Sequence, residues 1–132
     1  MGTLACILKE MGYKVSGSDQ NVYPPMSDFL NEKGISLFTG YDPLNLDHGP
    51  DLVIIGNAVT KLNVEAQAVL QRGIPYLSMP QAVNKFIAKE KKIILVTGTH
   101  GKTTTSSIMA HILFKAGMDP SFMIGGILKD FN

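Results

Sequence analysis

The chain has too little cysteine for disulfide chemistry: Cys6 is the only one among 132 residues, so no internal bridge can form. Apolar neighbours on both sides, in Leu4-Ala5-Cys6-Ile7-Leu8, mark it as a packed thiol rather than a nucleophile. No apolar run is long enough to cross a bilayer, which excludes a membrane-spanning helix. Neither sign of charge prevails: the formal net charge is +1, so a nucleic-acid-binding surface is not expected, nor is disorder driven by self-repulsion. The opening stretch carries Lys9 and Glu10 and lacks a basic start followed by a small-residue cleavage site, so it does not read as a signal peptide. His48 lies in a polar stretch and His111 inside a helical pattern, and neither joins a metal-ligand or triad spacing. The expectation is a cytoplasmic protein with no membrane or nucleic-acid partner. Its apolar fraction of 45% suffices for a core, and its length suits one domain and the opening of another.

What is present is alternation. Amphipathic runs repeatedly end in glycine and give way to short apolar segments: Leu4 to Gly12 then Tyr13 to Val15, Ser27 to Gly34 then Ile35 to Phe38, Asn63 to Gly73 then Ile74 to Leu77, and Thr103 to Gly117 then Ser121 to Ile124. Glycine just past a helix takes the left-handed conformation that closes the last carbonyls. Helix and strand in alternation imply a parallel sheet with helices on its faces. Asp51 to Ile55 and Ile93 to Val96 are near-continuous apolar runs, as strands buried on both faces should be. The pattern predicts an α/β fold, doubly wound and Rossmann-like. The first helix has no strand in front of it, although the opening strand of such a fold lies centrally in the sheet. Without it the neighbouring strands lose partners, at about 1–3 kcal/mol for each buried unpaired group, so an altered sheet, strand exchange into a homo-oligomer, or poor stability is expected. The charged run Ala88-Lys89-Glu90-Lys91-Lys92 reads as a linker, and it separates residues 1–89 from residues 90–132.

The strongest chemical signal lies just beyond that linker. Residues Val96 to Thr105 read VTGTHGKTTT between the apolar run at Ile93 and the amphipathic stretch SSIMAHILFKAG. A strand, a glycine loop ending in Gly-Lys-Thr and a helix form the arrangement that binds a nucleoside triphosphate. Backbone amides converge on phosphate oxygens only where no Cβ obstructs, which accounts for Gly98 and Gly101. Lys102 would then lie over the β- and γ-phosphates, and Thr103 would offer its hydroxyl to Mg²⁺. The longer phosphate-loop pattern asks for glycine at position 96, where this chain has valine, so the motif is the shorter G-x-x-G-K-T.

Other candidates lie where strands should end. Asp19 follows Val15-Ser16-Gly17-Ser18, and a carboxylate beyond a strand's carboxyl end can accept bonds from a ribose or a base edge; a turn-forming or helix-capping aspartate fits equally well. Asn57 and Thr60 follow the strand ending at Ile55-Gly56, where glycine permits either close approach of a phosphate or sugar or a plain turn into the next helix. Tyr23-Pro24-Pro25 leads into a helix with Ser27 as its expected cap, and Phe122 to Gly126 reads as a strand running into a glycine loop.

TGTHGKTTT resembles the ATP-binding loop of the Mur ligases, which build the peptide stem of bacterial peptidoglycan on a UDP-sugar. The resemblance extends through GSDQNVYPPMSDFL at Gly17 to Leu30, GYDP at Gly40 to Pro43 and IGNAVTKLN at Ile55 to Asn63, and covers nearly the whole chain. It implies a UDP-N-acetylmuramate-binding domain at 1–89, without its first strand, and the beginning of a central ATP-binding domain at 90–132. It also implies ATP and Mg²⁺ as cofactors. Thr97, Gly98, Thr99, His100, Gly101, Lys102, Thr103 and Thr104 would form the nucleotide cradle, with Lys102 catalytic and Thr103 a metal ligand. Ser18, Asp19 and Asn57 would form the UDP-sugar contacts. The middle segments look most like the branch that joins L-alanyl-γ-D-glutamyl-meso-diaminopimelate to UDP-N-acetylmuramate through an acyl phosphate, in peptidoglycan recycling. Within the family the alternative is L-alanine as the amine, and outside it a non-catalytic nucleotide or UDP-sugar binding module. An unrelated phosphotransferase would leave GSDQNVYPPMS unexplained. The family's acidic Mg²⁺ ligand, its modified lysine, its adenine contacts and its amine-binding domain would fall beyond Asn132, so this chain alone is expected not to catalyse ligation.

Overall fold

The computed structural model describes residues 1–89 and 91–124, and the chain divides into two compact units, 1–91 and 92–132. In the first unit α1 (Gly2–Glu10), β1 (Ser16–Asp19), α2 (Met26–Glu32) and β2 (Ser36–Thr39) alternate. A 3-10 turn (Pro43–Leu46), β3 (Val53–Ile55), α3 (Val64–Gln71), β4 (Tyr76–Ser78) and α4 (Met79–Phe86) follow. The second unit contains α5 (Lys102–Lys115). This is an α/β fold with parallel strands.

Helix ends follow the glycine pattern. Gly34 (φ +70°) and Gly73 (φ +64°) take the left-handed conformation. Past α2 the Gly34 amide donates to the Asn31 carbonyl and the Ile35 amide to the Leu30 carbonyl; past α3 Gly73 and Ile74 repeat this onto Leu70 and Val69. These paired bonds satisfy carbonyls that a helix end leaves open, and they turn the next apolar residue inward. Ile35 is accordingly buried among Cys6 and Leu30, with Ala5, Val15, Met26 and Leu37 packed around them. Ile74 and Val53 pack against a second cluster of Leu46, Ala68 and Val69.

The parallel sheet is altered, one of the outcomes expected without an opening strand: it consists of two ladders. β1 pairs with β2 from Ser16↔Ser36 to Asp19↔Thr39, and β3 pairs with β4 from Val53↔Tyr76 to Ile55↔Ser78, both parallel. No described strand bridges the two ladders. Each therefore keeps an outer edge on both sides, and Val53, Ile54 and Ile55 are half-buried rather than enclosed on both faces. The halves of this unit meet through side chains: Tyr13 and Phe86 rings pack edge to face with centroids 5.6 Å apart, and Ser16 Oγ lies 3.3 Å from His48 Nε2.

Several expected boundaries shift for identifiable reasons. Tyr13 to Val15 lead into β1 rather than forming it, because the ladder begins only where Ser36 supplies a partner. Ser27 does not cap α2: the cap position is Pro25, two residues earlier, already helical in shape (φ −85°, ψ −11°), and Ser27 is buried with its Oγ donating to Asp28 Oδ1. Ile93 to Val96 and Ser121 to Ile124 are not strands. A lone segment cannot satisfy its alternating amides and carbonyls without a ladder partner, and no strand is found among the described residues of the second unit. Ile93, Ile94 and Leu95 are correspondingly exposed. Gly125 and Gly126 lie outside the described residues.

Candidate functional site

Ser18 and Asp19 close the carboxyl end of β1, and each is already engaged. The Asp19 carboxylate accepts the Asn21 amide at 3.0 Å through Oδ1, a local turn that fixes the chain's exit from the strand, while the Asp19 carbonyl accepts the Gly40 amide at 2.8 Å. Oδ2 of Asp19 accepts nothing recorded among the described residues, and the residue is exposed, so one carboxylate oxygen remains for a ligand while the other holds the turn. Both sequence readings of this aspartate are therefore compatible with its geometry.

The Ser18 hydroxyl donates to Oε1 of Glu65, in the first turn of α3. Oε2 of the same carboxylate accepts the Asp42 amide and Asn45 Nδ2, each at 3.3 Å. Glu65 is placed there by the start of α3, where the Asn63 side chain caps the helix by accepting the Glu65 and Ala66 amides at 3.0 and 2.9 Å. Sequence inspection passed over Glu65, because an acidic residue in a helix's first turn is explained by the helix dipole alone. Only Asn63 two positions before it marked the location.

Asn57 lies in an exposed turn after β3, closed by the Val59 amide on the Gly56 carbonyl at 3.0 Å. A Cβ on Gly56 would come within 3.3 Å of the Met1 side chain, so what approaches this glycine closely is Met1. Ser18 and Asp19 are thus adjacent, whereas Asn57 stands beyond the other ladder, with no recorded bond to either.

In the second unit Thr97 to Thr104 run through the glycine loop into α5. Gly98 (φ +151°) and Gly101 (φ +75°) adopt backbone conformations that side chains disfavour, and Gly101 is the N-cap of α5. The Lys102, Thr103 and Thr104 amides have no intrahelical acceptor, no side chain caps them, and the first turn contains no acidic residue. This end of the helix presents unsatisfied donors and the positive end of the dipole, which is what a phosphate requires. The Lys102 ammonium folds back over the loop, donating to the Gly98 carbonyl at 2.6 Å and the Thr99 carbonyl at 3.2 Å. His100 turns aside, with Nδ1 3.2 Å from Thr99 Oγ1. The donor set fits a nucleotide polyphosphate.

Burial raises the Cys6 thiol above its ordinary range, with Lys33 opposing and Glu10 adding to the shift. That keeps the sulfur protonated and inert, as its apolar neighbours suggested. Among the described residues no cluster of His, Cys, Asp and Glu is arranged to hold a metal ion, and no helix is long and apolar enough to cross a membrane.

Residues 1–91 match the family described as "Mur ligase family, catalytic domain". Over all 132 residues the chain is 48% identical to the UDP-N-acetylmuramate--L-alanyl-gamma-D-glutamyl-meso-2,6-diaminoheptandioate ligase of Escherichia coli K12, spanning 29% of that protein's length. It is 40% identical over 98% of its length to the UDP-N-acetylmuramate--L-alanine ligase of Syntrophomonas wolfei, spanning 27% of that protein. Among solved structures, the UDP-N-acetylmuramate:L-alanyl-gamma-D-glutamyl-meso-diaminopimelate ligase from Neisseria meningitides superposes with a TM-score of 0.94 at 42% identity, covering 100% of this chain and 41% of that one. The chain thus spans about three tenths of the length of the curated relatives it matches.

Proposed function

Because the chain belongs to the Mur ligase family, we propose that it supplies the UDP-N-acetylmuramate-binding region and the opening of the ATP-binding region of a cytoplasmic ligase. That ligase joins L-alanyl-γ-D-glutamyl-meso-diaminopimelate to UDP-N-acetylmuramate in peptidoglycan recycling. The observation that carries this choice of amine is the 48% identity to a ligase named for the tripeptide, against 40% to one named for L-alanine. Residues 1–89 would hold the UDP-sugar and residues 90–132 would begin the ATP domain.

In this reading Ser18, the second carboxylate oxygen of Asp19, and Asn57 meet the UDP-sugar beyond the strands' carboxyl ends, where open α/β sheets bind ligands. The amides of Lys102 to Thr104, together with Thr97, Gly98, Thr99, His100 and Gly101, would cradle the phosphates. Thr103 would share in holding Mg²⁺. Mg²⁺-ATP bound there would supply the phosphoryl group that activates the muramate carboxylate towards the amine. The Lys102 ammonium is the catalytic group: it would leave the Gly98 and Thr99 carbonyls for the phosphate oxygens, so its charge moves only a short way to meet the charge developing in phosphoryl transfer. The chain spans about three tenths of the length of its relatives, so ligation is proposed of the complete enzyme that includes it.

Calorimetric titration with UDP-N-acetylmuramate and, separately, Mg²⁺-ATP tests the reading. Saturable binding of each is expected, with the ATP signal weakened at least about tenfold by Lys102→Ala, the loss of one charge-assisted contact. ATP binding unchanged by that substitution would refute the role given to the loop. Ligation assays on a complete enzyme that includes this chain, supplied with the tripeptide or with L-alanine, decide the amine.

A further inference from the structure

Glu65 has more hydrogen bonds than a first-turn glutamate requires. Its carboxylate gathers three donors from two separate stretches of chain: the Ser18 hydroxyl of β1, and the Asp42 amide and Asn45 side-chain amide of the segment after β2. Asn45 Nδ2 also donates to the Gly40 carbonyl at 3.2 Å, and the Gly40 amide is held by the Asp19 carbonyl at 2.8 Å. Bonds therefore run from Glu65 to Ser18, along the chain to Asp19, across to Gly40 and Asn45, and back to Glu65. This closed ring ties the carboxyl end of β1 and the segment after β2 to the start of α3.

We infer that Glu65 is the positioning residue of this edge, holding Ser18 and the 40–45 segment in one arrangement and leaving the Ser18 oxygen to face a ligand as an acceptor. A serine hydroxyl has one proton and two lone pairs. With the proton committed to Glu65, Ser18 has only lone pairs to offer and selects an N–H or O–H donor on the ligand. Glu65 thereby acts through Ser18 and contacts no ligand itself. The inference rests on the placement of Ser18 in the UDP-sugar site.

The test is a double-mutant cycle on UDP-N-acetylmuramate affinity with Ser18→Ala, Glu65→Ala and the double variant, folding being checked by circular dichroism. Residues acting as one unit are non-additive, so each single variant and the double should all bind about tenfold more weakly. A double variant weaker by about a hundredfold, the additive result, overturns the inference, as does a Glu65→Ala variant that binds like the wild type. Should Glu65→Ala fail to fold, Glu65→Gln carries the same cycle with the side chain's shape preserved. Hydrogen exchange at the Asp42 amide provides a ligand-free readout: faster exchange in the Glu65 variant, with Ser18→Ala unchanged, upholds the clamp, and unaltered exchange overturns it. If the wild type fails to bind the UDP-sugar, the proposed function is refuted, and the exchange result alone decides the clamp.

Discussion

Cys6 shows how far one residue's surroundings settle its chemistry. It sits at 7% exposure beside Leu30 and Ile35, and burial is the largest cause of its raised pKa. The folded chain holds the thiol proton more tightly than the unfolded chain does, so the unfolded chain deprotonates first as pH rises. Stability is then lost as pH climbs past the ordinary thiol value of about 8.5, and the loss levels off above the folded value. Melting curves from pH 7 to pH 10 should show a decline that Cys6→Ala reduces, and a thiol reagent at pH 7.5 should label the native chain far more slowly than the unfolded one. Asp19 and Ser18 show the opposite case. Their residue types pointed to a ligand edge, and the turn that Asp19 makes with Asn21 was one of the two readings its local sequence allowed, but the carboxylate partner of Ser18 was invisible, because it depends on which distant segment arrives beside β1.

The helices were legible because their stops and starts are local. Left-handed glycines past α2 and α3, and an asparagine before α3, act within a few residues of themselves. Asn63→Ala removes the acceptor for two amides at the start of α3 and should cost about 1 kcal/mol, read as a lower melting temperature. Loss of this cap should also speed exchange at the Asp42 amide, since Glu65 stands on the turn that Asn63 secures. Strands were legible only in part. Ser36 to Thr39 and Tyr76 to Ser78 lie close to their expected places, because each has a parallel neighbour. Ile93 to Val96 carry an equally strong apolar signal and form no strand, since β-structure is a property of pairs and apolar character alone provides no partner.

At the scale of the molecule, the proposed UDP-sugar contacts belong to the unit 1–91 and the proposed nucleotide cradle to the unit 92–132. Each set of contacts lies within its own unit, so a substitution in one set removes no contact from the other. Lys102→Ala should therefore leave UDP-N-acetylmuramate affinity within about twofold, and Ser18→Ala should leave Mg²⁺-ATP affinity equally unaffected, since neither residue is among the proposed contacts of the other ligand. Cross-titration, each ligand measured in the presence of the other, would expose any coupling. Tenfold changes across units would contradict the independence of the two sites.

The sequence by itself determined the α/β class, the helix limits set by glycine and asparagine, the inert cysteine and the glycine loop leading into α5, because each depends on contacts a few residues apart. Only the tertiary structure decided which strands pair into the two ladders, that Gly56 faces Met1, and that Glu65 gathers Ser18, Asp42 and Asn45. Those outcomes turn on which remote backbone edges and side chains come within hydrogen-bonding distance, and no local pattern encodes a partner tens of residues away.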